Sequence, residues 1–139
     1  MVIKWAFPPA RLWVAAVVAT ALWGCATAPR TPELAVRDRA TQIWQAKVAG
    51  DYGKAYTYMP PSYRAVTSVE DYRKTMGGAV KMVGAEVISV KCETQDKCVA
   101  EMKLEARAVL ARGVSAPIVT HFDEVWVRES GAWWLFPTP

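Results

Sequence analysis

Histidine is almost absent from this chain of 139 residues, occurring once, at position 121. A single imidazole excludes every mechanism or metal site that needs several. The sequence also lacks a Ser-His-Asp motif, a phosphate-cradling glycine loop and a cluster of metal ligands at structural spacing. Its N-terminal apolar run, LWVAAVVATALW at residues 12–23, has 12 residues, whereas a helix needs about 20 to span a bilayer. Nor does one sign of charge dominate. Lys and Arg total 17 against 13 Asp and Glu, and they alternate in segments such as RDR, EDYRK and KCETQDK, the texture of a solvated surface and not of a nucleic-acid footprint.

What is present begins with a leader. Lys4 and Arg11 precede the short apolar run, and small residues follow it, which is the layout of a secretory signal. Two cut sites compete. Ala26-Thr27-Ala28 is a small-x-small triplet, but Pro29 follows it and disfavours cleavage there. Leu22-Trp23-Gly24-Cys25 resembles the bacterial lipobox, in which an aliphatic residue and a small one precede a cysteine that receives a diacylglyceryl group; Trp23 stands where a small residue is usual. The resemblance predicts a signal peptide over 1–24, a lipidated N-terminus and tether over 25–33 with the lipid on Cys25, and one folded domain over 34–139. It also implies a location in the bacterial envelope facing the periplasm. Ala26, which is not aspartate, points to the outer membrane.

The cysteine count agrees. Three cysteines leave one over in an exported protein. With Cys25 lipidated, Cys92 and Cys98 remain as a pair in VKCETQDKCVA, and an oxidising periplasm lets them close a disulfide. A C-x5-C spacing without a second ligand pair offers too few ligands for structural zinc. Without residues 1–24 the chain has 115 residues and a net charge of +2 instead of +4, enough for one core.

From Pro32 the sequence PELAVRDRATQIWQAKVAG places Leu34, Val36, Ala40, Ile43, Trp44 and Val48 at helical spacing, with Arg37, Asp38, Arg39, Gln42 and Lys47 mainly elsewhere. Gly50 supplies a stop and Asp51 a cap for a second short helix, DYGKAYTYM, ending at Pro60-Pro61. A third is expected from a capping box at Thr67-Ser68-Val69-Glu70 to Gly77-Gly78.

After the glycines the period becomes two. Ile88, Val90 and Cys92 share one strand face, and Cys98, Ala100, Met102, Leu104, Ala106, Ala108 and Leu110 share another against Glu101, Lys103, Glu105 and Arg107. If Cys92 faces Cys98 across a hairpin, Val90 falls opposite Ala100 and Ile88 opposite Met102. A second hairpin turns at Ser130-Gly131 and pairs Trp126 with Leu135 and Val127 with Trp134. His121, Asp123, Val125 and Val127 then share a face with Trp134 and Phe136, and Phe122, Glu124, Trp126 and Arg128 share the other with Trp133 and Leu135. Parity alone leaves open which face looks inward. Helices followed by about four antiparallel strands predict an α+β layer structure, a curved sheet wrapping a helix.

The run IWQAKVAGDYGKAYTYMPPSYR, then SVEDYRKTMG, then HFDEVWVRESGAWW resembles the nuclear transport factor 2-like superfamily, the cystatin-like cone. The resemblance covers residues 34–136 and implies a cone whose open end holds a small apolar ligand. Relatives such as ketosteroid isomerase, scytalone dehydratase and limonene epoxide hydrolase are enzymes; others bind partners or assemble secretion machinery. The superfold therefore does not specify an activity.

Two sets of candidate site residues follow. His121-x-Asp123 is the one histidine–carboxylate pair, on one strand face by alternation; the favoured reading puts both on a solvent-facing strand. Tyr52, Tyr56, Tyr63 and Trp126 are candidates to line a pocket, although aromatics at such spacing are more often core walls. Trp126, Trp133 and Trp134 cannot all be inside, so one should contribute to an exposed aromatic patch. The leading expectation is a non-catalytic, lipid-anchored periplasmic module that binds a partner protein or a small apolar ligand, without a cofactor, without nucleic acid and with room for a homodimer. The alternative is a small isomerase or hydrolase using His121 and Asp123. A closed apolar cone around both residues favours the enzyme; both facing solvent sinks it.

Overall fold

The computed structural model describes residues 2, 30–76, 80–110, 113–114 and 116–137. Cys25 and, apart from Val2, the whole of the expected leader lie outside these residues. Among the described residues no helix is long and apolar enough to cross a membrane.

Helix α1 spans Pro32–Val48. Thr31 caps it, its side chain accepting the Leu34 N–H at 3.3 Å, and Pro32 takes the first turn, where a missing N–H costs nothing. The helix therefore starts two residues inside the stretch assigned to the tether. It ends in a Schellman arrangement, with the Gly50 N–H donating to the Lys47 carbonyl at 3.0 Å and the Asp51 N–H to the Ala46 carbonyl at 2.8 Å. That arrangement requires the φ of +75° that Gly50 adopts. Val36, Ala40, Ile43, Trp44 and Ala46 are buried, and so is Lys47. Leu34, expected on the apolar face, is 53 % exposed.

Three shorter helices follow: α2 at Tyr52–Tyr56, α3 at Pro61–Arg64 and α4 at Val69–Met76. The Asp51 carboxylate caps α2 by accepting the Lys54 N–H at 3.0 Å. The one-turn α3 is not among the three helices that the sequence predicts; it forms because Pro61 sits in a first turn whose φ proline already satisfies. At α4 the cap is one residue later than expected. The Asp71 N–H donates to Ser68 Oγ at 3.1 Å, and that hydroxyl donates to the Asp71 carboxylate at 2.8 Å. Ser68 and Asp71 thus replace Thr67 and Glu70.

The sheet contains β1 (Val80–Thr94), β2 (Lys97–Leu110), β3 (Gly113–Val114), β4 (Ile118–Glu129) and β5 (Ala132–Leu135). Its order is β1-β2-β4-β5, with the two-residue β3 paired to β2. The architecture is the expected one, α+β with helices packed on a curved antiparallel sheet whose main path has four strands. Cys92 lies opposite Cys98 and Val90 opposite Ala100, and the two sulfurs stand 2.01 Å apart, a disulfide separation. The expected pairing of Ile88 with Met102 does not occur. A register shift between Val87 and Ser89 puts Val87 opposite Met102, so Val87 is buried and Ile88 is 40 % exposed. Such a bulge exchanges the faces of the residues upstream of it, here as far as Gly84, because a second register shift between Met82 and Gly84 restores the original parity. Arg37 of α1 sits across it, donating to the Val87 carbonyl at 2.8 Å.

The second hairpin has the expected register, Trp126 opposite Leu135 and Val127 opposite Trp134. Ser130 and Gly131 have φ of +52° and +79°, both positive as the primed two-residue turn demands. The helices settle which face looks inward. Trp126, Trp133 and Leu135 join Ala100, Met102 and the α1 stripe in one core, so the face carrying Phe122 and Glu124 is concave and the face carrying His121 and Asp123 is convex.

Candidate functional site

On the concave face β4 reads Phe122-x-Glu124-x-Trp126, with Met102, Ala100 and Cys98 directly opposite on β2. Glu124 sits in the middle of this apolar strip, and its side chain is 7 % exposed. Ala100, its cross-strand neighbour, is too small to cover it, so the carboxylate points at α1. There the Trp44 indole Nε1–H donates to Oε1 at 2.9 Å. Lys47, one turn on, brings Nζ to 3.9 Å from the same oxygen and to 4.1 Å from the centre of the Trp44 ring. The pair is an ion pair without a close hydrogen bond, and the indole serves both charges, one through its N–H and one through its π face.

Burial dominates the electrostatics. It raises the pKa of Glu124 above the ordinary carboxylate value, against the smaller pull of Lys47 and the indoles of Trp44 and Trp126. It lowers the pKa of Lys47, against the pull of Glu124. Tyr72, on α4, is raised, first by burial and then by Tyr63, Glu124 and Tyr52. Each shift favours the neutral form.

Three buried polar atoms in this region have no hydrogen-bond partner among the described residues: Glu124 Oε2, Tyr72 Oη and Trp126 Nε1, the last close enough to pull on Glu124 but not in hydrogen-bond geometry with it. Such atoms are rare in folded proteins. Glu124 and Tyr72 both line a cavity of about 750 Å³, and Lys47 lines it too. Its other walls include Trp44, Met59, Tyr63, Phe122 and Leu135. The volume falls in the 300–1,000 Å³ range typical of small-molecule sites (about that order). The arrangement is one acceptor and several donors set together in an apolar chamber, which suits one polar group on an apolar body. Among the described residues no three His, Cys, Asp or Glu side chains gather in a way that would hold a metal ion.

The expected site residues distribute unevenly around this chamber. Tyr63 lines it. Trp126 is 0 % exposed and belongs to the core, while Tyr52 and Tyr56 pack against that core from outside. Tyr56 supports the wall instead of forming it: its hydroxyl donates to the Thr67 carbonyl at 2.6 Å, and its ring lies 5.6 Å from that of Tyr72. His121 and Asp123 are both exposed; Asp123 reaches the cavity rim and His121 does not line it. The pair faces solvent, the placement that counts against an enzyme built on it. Trp134 does not form the open patch expected of one tryptophan. Arg39 and Arg64 lie 4.8 Å and 5.3 Å from the centre of its ring, and Phe136 beside it is 49 % exposed.

Lys47, Glu124 and Tyr72 were not singled out as a group by the sequence. The signal for two of them was a violated pattern. Lys47 follows Ile43 by four and Trp44 by three, on the buried stripe, and Glu124 interrupts an alternating apolar face.

No family model matches the chain, and no curated protein is similar enough to match. Solved structures do share its shape. A SEC-C motif containing protein from Rhodopseudomonas palustris aligns with a TM-score of 0.54 at 16 % identity, covering 76 % of this chain and 75 % of that one. A sec-c motif containing protein from Psychrobacter arcticus aligns with a TM-score of 0.50 at 12 % identity over 68 % of this chain, which spans 54 % of that longer protein. The CamKII hub homology domain of Chlamydomonas reinhardtii gives a TM-score of 0.47 at 21 % identity, with coverage of 73 % and 91 %. At these identities the likeness is one of fold.

Proposed function

We propose that this chain is an envelope lipoprotein whose folded domain is a non-catalytic binding module for a small, largely apolar ligand. In this reading a lipid on Cys25 holds it to the outer membrane facing the periplasm, residues up to Thr31 form the tether, and the Cys92–Cys98 pair suits the oxidising compartment. One observation carries the choice of a small ligand over a partner protein: Glu124 and Tyr72 each bring a polar atom without a hydrogen-bond partner among the described residues to the wall of one apolar chamber, which Lys47 also lines. A chamber that served packing alone would be filled, or its polar groups would be satisfied by one another.

The test of binding is native mass spectrometry of the full chain isolated from its own envelope. A reproducible mass increment of a small molecule, lost when Met59→Trp narrows the chamber, is expected; a bare mass across preparations, with no shift in melting temperature from any apolar compound, would count against the module. The anchor is tested apart from the ligand. Cys25→Ser should release the protein from the membrane fraction or leave it unprocessed, and membrane attachment at mature size would refute lipidation.

A further inference from the structure

The polar wall of the chamber also selects a head group, and we infer that the ligand is an alcohol: a hydrocarbon with one hydroxyl whose oxygen sits among Glu124, Tyr72 and Lys47. This rests on the chamber being a ligand site, as proposed above. The argument is one of matching donors to acceptors. Trp44 already occupies Oε1 of Glu124; Oε2 has no partner among the described residues, the nearby Trp126 indole being out of hydrogen-bond geometry with it, and asks for a donor. Tyr72 Oη, equally without a partner, and Lys47 Nζ, whose nearest carboxylate oxygen is 3.9 Å away, ask for an acceptor. A hydroxyl meets both demands with one atom.

Each other simple head group leaves a demand unmet. A ketone accepts from Tyr72 or Lys47 but gives Oε2 nothing. An ammonium donates to Oε2 but stands against the Lys47 cation and leaves the tyrosine hydroxyl without an acceptor for its proton. A carboxylate accepts well, yet sets a second negative charge beside Glu124, and so binds only with an additional proton. The Lys47–Glu124 pair is neutral as a whole, which fits a neutral ligand. Sites that hydrogen-bond a hydroxyl reject analogues without it strongly, because their own buried groups are then left without partners. The hydrocarbon requirement comes from the remaining walls, where Trp44, Met59, Phe122 and Leu135 present apolar surface.

The experiment titrates four probes with the same chain length, decan-1-ol, decan-2-one, decylamine and decanoate, into the full-length protein at pH 7 by calorimetry. Decan-1-ol is expected to bind tightest, by about tenfold over each of the others. Tyr72→Phe should narrow that margin. Glu124→Gln makes a sharper demand. The Trp44 N–H keeps the amide oxygen at the Oε1 position, so the amide NH2 replaces the acceptor Oε2 with a donor, and the preference should pass from decan-1-ol to decan-2-one. Melting curves establish that each variant is folded, and the comparison on the unaltered protein stands without them. If all four probes bind within threefold of one another, the chamber remains an apolar-ligand site and the alcohol assignment is overturned. Tightest binding of decanoate or decylamine overturns it as well. If no probe binds, the ligand reading itself fails, and this inference with it.

Discussion

Asp123 and Glu124 are neighbours in the chain and carry the same functional group, yet β4 sends them to opposite worlds. On the convex face Asp123 is exposed, opposite Glu101 of β2 and two residues from the exposed His121. On the concave face Glu124 is buried, bonded to an indole, set against a lysine and left with one oxygen without a partner. The histidine–carboxylate pair looks more like chemistry in a sequence, but water surrounds it. A carboxyl group becomes distinctive when burial raises the free energy of its charged form, and here the face, not the residue type, decides that.

The largest expected difference between the faces is in packing. Trp126 is 0 % exposed at the centre of the core, and Trp126→Ala should lower the unfolding free energy by about 4 kcal/mol. Val125→Ala, one residue away on the convex face, should cost under about 1 kcal/mol. Urea denaturation of both variants measures the contrast; equal losses would mean that the concave face is not where the core lies.

Next comes the buried pair. Lys47→Met removes the only cation within 4 Å of Glu124 among the described ion pairs and should cost about 3 kcal/mol at pH 7. The loss should shrink as pH falls. Below the ordinary carboxylate value of 4.5 the folded and unfolded chains both hold the proton, and burial of Glu124 carries no charge penalty. As pH rises above that value the unfolded chain releases its proton first, so the folded state loses stability until Glu124 itself ionises. Lys47 acts oppositely at alkaline pH: its folded pKa lies below the ordinary 10.5, so stability lost by deprotonating the unfolded chain later is regained as pH climbs towards that value. Glu124→Gln should flatten the acid-side slope, and a slope unchanged in that variant would assign it to another carboxylate. The double variant should be more stable than Lys47→Met alone, since it leaves no buried charge.

The disulfide comes third. It closes a short hairpin loop, six residues apart in sequence, so Cys92→Ala/Cys98→Ala should cost about 2 kcal/mol. Because the same hairpin is held by the Val90–Ala100 and Val87–Met102 pairs, the register should survive, as amide exchange across β1 and β2 would report.

These features were legible in the sequence to very different degrees. The Schellman end at Gly50, the Asp51 cap, the Ser130-Gly131 turn and the cysteine register could be read because each is encoded within a few residues. The bulge at Ile88 could not, because part of what meets it is Arg37, about fifty positions earlier in the chain, whose guanidinium reaches the Val87 carbonyl. The orientation of the last hairpin was undecidable from alternation, since both faces carry tryptophan and the choice depends on where α1 lies. Lys47, which its charge assigns to the polar side of α1 although its spacing from Ile43 and Trp44 puts it on the buried stripe, and Glu124, which interrupts an apolar face, answer each other only through the packing of α1 on β4. Tyr72 reads as one tyrosine among five until α4 is placed over the chamber.

The smallest effect is expected on the convex face and is the most informative about it. Asp123→Asn and His121→Ala should each change stability by less than about 0.5 kcal/mol, as substitutions at solvated positions without partners to lose generally do. Asp123 touches the cavity rim, so Asp123→Asn can alter the rate at which a ligand enters, but not the head-group preference, which depends on Oε2 of Glu124. Calorimetric titration of decan-1-ol and decan-2-one into both variants separates these effects: their order of affinity should match that of the unaltered chain. If His121→Ala alone reversed that order, the exposed histidine would have to contact the ligand, and the division of β4 into a chemical face and a solvated face would be wrong.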